Sequence, residues 1–205
     1  MMTKLFLKAK HWQIFVLMIG VPFIFQIITI VYVIVTNTPL FAFLTFPIFM
    51  LLFMSIFFGW FWSIGVGLHK FLPEHHNLNL KKFKIFFFIP LFYITFLMFS
   101  MLSFDVFSDF PPPNEMFWIS FSIIIPLHLF SIFCMFYLLY FCSKTIKSIE
   151  LNREVSFSDY VGEFFLLWFY FIGIWILQPK INKIYSEKVN DSSNFEPETL
   201  NQTNE

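Results

Sequence analysis

The sequence predicts an all-α polytopic membrane protein, a bundle of four spanning helices with a short fifth membrane helix that re-enters or lies in the interface, five spans being the alternative. Three observations predict it. Hydrophobic residues make up 58% of the chain and charged residues 13%, against roughly half and one quarter in soluble domains, and the mean hydropathy is +0.74. Four stretches, 12–35, 42–68, 85–104 and 116–141, contain no Asp, Glu, Lys or Arg and are long enough to cross a core of about 30 Å at helical rise. Finally, the Lys and Arg residues are confined to alternate connections. A lipid-exposed strand would leave its backbone groups unpaired, so each span is helical. Phe fills 35 positions while Ala stands only at Ala9 and Ala42, a bias in keeping with an A/T-rich genome rather than with an aromatic site.

The N-terminal flank carries Lys4, Lys8 and Lys10 ahead of the first apolar run. It resembles a secretory signal, but the run continues to Thr36-Asn37-Thr38-Pro39 without a small-x-small cleavage site, which predicts an uncleaved first span. The uncharged connection 36–41, with Pro39, suits a tight turn between antiparallel neighbours. On the second span Ser55, Gly59, Ser63 and Gly67 recur every four residues, a small-residue face that lets another backbone approach closely. Packing within the chain is the expected use of that face, and homodimerisation is the alternative.

The connection 69–84 carries Lys70, Lys81, Lys82 and Lys84 and a cluster of His69, Glu74, His75 and His76. Adjacent histidines on a loop rarely aim at one centre, so the cluster reads as a solvated interfacial loop rather than a zinc site. The connection 105–115 holds Asp105, Asp109, Glu115 and Pro111-Pro112-Pro113 and no base. In the fourth span His128 follows Pro126, and depth reckoning sets Gln26, Ser55 and Thr95 at its level, a candidate polar midplane layer. An intramembrane ionisable group is by default a functional hypothesis. A proton relay or metal site would need a second His or carboxylate at that depth, and the clear spans contain none, so the layer is expected to act as interhelical glue. Cys134 and Cys142, eight residues apart, are too distant along a helix to pair with each other.

The fifth apolar stretch, 164–177, covers only about 21 Å, and extending it upstream to about 160 brings in Gly162 and Glu163. Ser156 with Asp159 offers an N-terminal cap, and Gln178-Pro179 is expected to end the helix. Bases flank both sides, with Lys144, Lys147 and Arg153 before and Lys180, Lys183 and Lys188 after, which predicts a helix that does not cross. The N-terminus and the 69–84 and 142–160 connections are then cytoplasmic, and so is the C-terminus. Residues 1–185 are expected to form a single transmembrane domain and residues 186–205, rich in Asn, Ser and Glu, a disordered polar tail.

Phe165-Leu166-Leu167-Trp168-Phe169, Gly173-Ile174-Trp175 and Gln178-Pro179-Lys180-Ile181-Asn182, together with Lys10-His11-Trp12-Gln13-Ile14-Phe15, Gly20 and Pro22, resemble the ends of a family of small uncharacterised polytopic inner-membrane proteins of Bacteroidota-type bacteria. The resemblance covers under a quarter of the chain and implies a bacterial inner-membrane location but no activity. The sequence carries no P-loop, Gly-x-Ser-x-Gly, His-Glu-x-x-His or dinucleotide fingerprint. No catalytic residue, cofactor or metal is therefore assigned, and nucleic acid is not an expected partner. The expected partners are the bilayer and another membrane protein or a second copy. A non-catalytic accessory or assembly protein is the first expectation. A small transporter or channel working through the layer around His128 is the second, and a membrane-embedded enzyme using the His69–His76 loop the third.

Overall fold

The computed structural model describes residues 2–74, 76–107 and 114–195, and among them all regular structure is helical. Seven helices follow in order: α1 (Met2–Lys8), α2 (His11–Thr36), α3 (Pro39–Trp62), α4 (Leu80–Phe107), α5 (Asn114–Leu151), α6 (Phe157–Trp168) and α7 (Tyr170–Phe195). Four segments, His11–Thr36, Thr45–Phe71, Leu80–Ser100 and Ser122–Leu151, are long and apolar enough to cross a membrane. Each overlaps one of the four charge-free stretches of the sequence.

Local chemistry explains the breaks and bends. Lys10 donates its amide to Gln13 Oε1 at 2.8 Å, which starts α2. Pro22 supplies no N–H, and just upstream the ladder slips into a π turn, Val16–Gly20, where the Val21 amide reaches the Val16 carbonyl. A second π turn, Ser63–Gly67, continues α3 into a short 3-10 turn, His69–Phe71. α5 runs about 57 Å over its 38 residues, well past the predicted end at 141, because Ser143, Thr145, Ile146 and Ser148 are buried on that extension. It stops at Asn152, whose φ of 49° is left-handed. The predicted cap forms: the Ser156 amide donates to Asp159 Oδ2 at 2.9 Å. That bond and the Arg153 guanidinium hold the Asp159 carboxyl below the usual carboxylate range.

Two features of the C-terminal part differ from expectation. The stretch 160–177 is not one helix ended by Gln178-Pro179; the chain breaks at Phe169 (φ −88°, ψ 56°) and α7 passes through Pro179. A straight helix would hold Glu163 and Lys180 about 25 Å apart, yet Lys180 Nζ lies 2.7 Å from Glu163 Oε1, so α6 and α7 form a hairpin. Gly173 allows it, since a Cβ there would overlap the Leu166 carbonyl. Helix survives Pro179 because Gln178 and Asn182, on either side, are fastened to α1. The polar segment predicted to be disordered from 186 is helical as far as Phe195, carried on by propagation from the packed part of α7 and by a Lys183–Glu187 pair one turn apart. Residues 196–205 lie outside the described part.

Among the described residues the core is concentrated at one end of the bundle. Trp60, Phe61, Ile64, Leu68, Phe83 and Phe141 are essentially inaccessible there, with the Phe83 and Phe141 rings stacked at 4.5 Å. This is the end of α3, the start of α4 and the second half of α5, the end that carries the bases. At the opposite end the pairing of α2 with α3 is kept by Tyr32 against Phe41, centroids 4.3 Å apart, while Ile34, Val35, Phe96 and Phe99 are exposed.

Candidate functional site

Beneath the tip of the α6–α7 hairpin a cleft of about 470 Å³ opens between α3, α4 and α5. Its walls are Phe53, Met54, Phe57 and Phe58 of α3, Tyr93 and Ile94 of α4, Leu167, Trp168 and Tyr170 of the hairpin, and a stripe of α5 from His128 to Leu139. On α5 the residues His128, Ser131, Ile132, Met135 and Leu139 share a face by helical spacing. Tyr93 Oη and His128 Nδ1 are 3.3 Å apart, a bond in which the hydroxyl donates when Nδ1 carries no proton. No charged side chain lines the cleft among the described residues.

Of the candidate midplane layer, His128 alone reaches this cleft. The Ser55 and Thr95 hydroxyls donate to the carbonyls of Leu51 and Leu91 on their own helices. Back-bonding one turn earlier satisfies a hydroxyl in lipid without a partner helix, so these residues do not join His128 in a hydrogen-bonded layer. Gln26 is half-buried on α2. The partner that sequence reasoning missed is Tyr93, a polar side chain half a turn from Thr95, and with it Ser131, one turn after His128 on the same face; both spacings were readable.

The small-residue face of α3 receives α1. A Cβ on Gly59 would meet the Phe6 ring at 2.9 Å, and one on Gly67 would meet Leu7 Cδ1 at 2.7 Å. Ser63 is buried and donates to the Gly59 carbonyl, whereas Ser55 is exposed. The face therefore packs within the chain, against a short N-terminal helix that the sequence did not suggest. Gly65, two positions off the four-residue register, lies under the Phe83 ring.

The junction of α1 with the rest is polar and specific. Gln178 Oε1 accepts from Trp60 Nε1 at 2.8 Å, and its Nε2 donates to the carbonyls of Phe6 and Ala9 at 2.8 and 2.9 Å. Asn182 Nδ2 donates to the Leu7 carbonyl at 2.7 Å. These carbonyls end α1 and lack helical partners of their own. Nearby, Glu163 is held between Lys147 and Lys180, at 3.3 and 2.7 Å, and Glu150 joins both lysines. Burial opposes ionisation of Glu163, but the hydrogen bond and charge of Lys180, with a further hydrogen bond from Lys147, outweigh it and hold the carboxyl below the ordinary glutamate range.

His69 and His76 do come together, ring centroids 5.1 Å apart. Each also engages backbone, His69 Nε2 at 3.4 Å from the Leu78 carbonyl and His76 Nδ1 at 2.9 Å from that of Pro73, which staples the loop. No group of three or more metal-ligating side chains occurs among the described residues. His75 and Asp109, and the side chains of Asp105 and Glu115, lie outside the described part. Cys134 and Cys142 are free and buried.

No protein-family profile, no curated relative and no solved structure matches the chain.

Proposed function

We propose that this chain is a non-catalytic accessory or assembly protein of a bacterial inner membrane, with four spans, a re-entrant α6–α7 hairpin and both termini in the cytoplasm. The observation that carries the accessory role is on α5. Residues Ser122–Phe130 are exposed one after another, and nine consecutive residues cover every direction around a helix. His128 is among them, although ionisable side chains within a membrane normally face a protein interior. A helix from another membrane protein, or from a second copy, would cover that surface and the imidazole with it. Orientation is supported by the segregation of the bases and by the attachment of α7 to α1.

The cleft at His128 favours a transporter more than the sequence alone did, but its apolar walls are unsuited to an ion, which needs oxygen ligands or charged rings along its path. An enzyme would rest on the His69–His76 pair, and both imidazoles there are engaged by backbone.

Benzoylphenylalanine placed at Ile124 or at Leu129, irradiated in native membranes, tests the accessory role. Adducts with a second polypeptide are expected, and adducts with lipid alone would overturn it.

A further inference from the structure

We propose that the cleft under the hairpin tip binds an uncharged lipophilic molecule through one carbonyl oxygen. This site shares His128 with the surface of α5 that carries the accessory role, but it is read out by ligand labelling rather than by protein crosslinks, so failure of one reading is distinguishable from failure of the other. Its volume of about 470 Å³ is in the range of small-molecule sites, which are mostly apolar with a few placed polar groups.

The polar groups define the ligand. Hydroxyls elsewhere on the helices bond back to their own carbonyls, as Thr29, Thr45, Ser55, Ser63, Thr95 and Thr145 do. Ser131 departs from the pattern, as does the buried Ser148, but of the two only Ser131 faces the cleft. It lines the cleft and is 4% exposed, yet its hydroxyl makes no hydrogen bond among the described residues. A buried hydroxyl without a partner is costly, and a ligand oxygen would supply one.

One turn away His128 uses only Nδ1. When Tyr93 donates to Nδ1, the proton of the neutral imidazole sits on Nε2, which becomes a donor. Ser131 and His128 then offer two donors, and a carbonyl oxygen has two lone pairs to receive them. Phe53, Phe57, Met135 and Trp168 enclose the rest with apolar and aromatic surface, which favours an uncharged ligand, since no Asp, Glu, Lys or Arg is among the described lining residues.

Two photoactivatable probes, each with a diazirine and an alkyne, decide the matter on the purified full chain in detergent: methyl palmitate and the corresponding alkane. The ester should label cleft residues, and unlabelled methyl palmitate should compete. Ser131→Ala should reduce ester labelling about fivefold, the worth of one hydrogen bond, leave alkane labelling unchanged, and be rescued by Ser131→Thr. Equal labelling by ester and alkane, or ester labelling indifferent to Ser131→Ala, would overturn the proposal. His128→Phe, which keeps a ring of similar size, should reduce ester labelling in the same sense, and undiminished labelling would count against it.

Discussion

Lys180 Nζ lies 2.7 Å from Glu163 Oε1 although the residues are seventeen positions apart in sequence. This contact turns the fifth apolar stretch from a fifth span into a hairpin. It also brings α7 back to the level of Lys147 and Glu150 near the end of α5. The same stretch of α7 is fastened to α1 through Gln178 and Asn182.

Hydrogen-ion linkage gives the first prediction. The Glu163 carboxyl is held below its ordinary value in the folded protein, so its stabilising contribution is complete above about pH 4.3, the ordinary glutamate value. The contribution is lost as pH falls through the lowered folded value. In detergent the melting temperature should carry a Glu163 contribution that is flat from neutral pH down to about pH 5 and falls in acid. Glu163→Gln should lower it at neutral pH and flatten the acid limb. An acid limb unchanged by the substitution would remove Glu163 from the account.

Gly173 should tolerate no side chain. A Cβ there meets the backbone of Leu166 rather than the end of a flexible side chain, so neither partner can yield without opening the hairpin. Gly173→Ala should cost more stability than Gly162→Ala, since a Cβ on Gly162 meets nothing within 4 Å. Equal melting temperatures for the two variants would contradict the close approach.

The pairing of α1 with α3 predicts a graded response along the small-residue face. Gly59→Leu drives a side chain into Phe6 and should cost about 1–3 kcal/mol as an overpacked contact, whereas Ser55→Leu, at an exposed site, should cost little. Thermal unfolding in detergent separates the two, and a large effect at Ser55 would point to a partner on that side instead.

Much of this architecture was legible in the sequence because bilayer thickness and charge distribution act on whole segments. The four spans, the tight turn at Pro39 and the cap at Ser156 each follow from one local rule. The hairpin was only half legible. Glu163 flagged the cost of burial, but its partners Lys147 and Lys180 sit 16 and 17 residues away, and nothing local reports that a helix can break at Phe169 between two apolar runs. Pro179 misled for the complementary reason: tertiary hydrogen bonds from Gln178 and Asn182 to α1 hold the helix through a residue that ends one when alone. At the candidate site, equal depth does not mean proximity. Depth fixes height in the bilayer but not azimuth, and back-bonding satisfies Ser55 and Thr95 on their own helices, leaving His128 with Tyr93.

The central claim is that the chain enters and leaves the membrane on one side through the α6–α7 hairpin. Fusing to the C-terminus either a reporter that fluoresces only in the cytoplasm or a phosphatase active only outside it measures this directly. Fluorescence without phosphatase activity is the predicted result, with the same outcome when the reporters are fused after Asn152. Phosphatase activity at the C-terminus with fluorescence after Asn152 would mean that the fifth stretch crosses the membrane, and would contradict the hairpin.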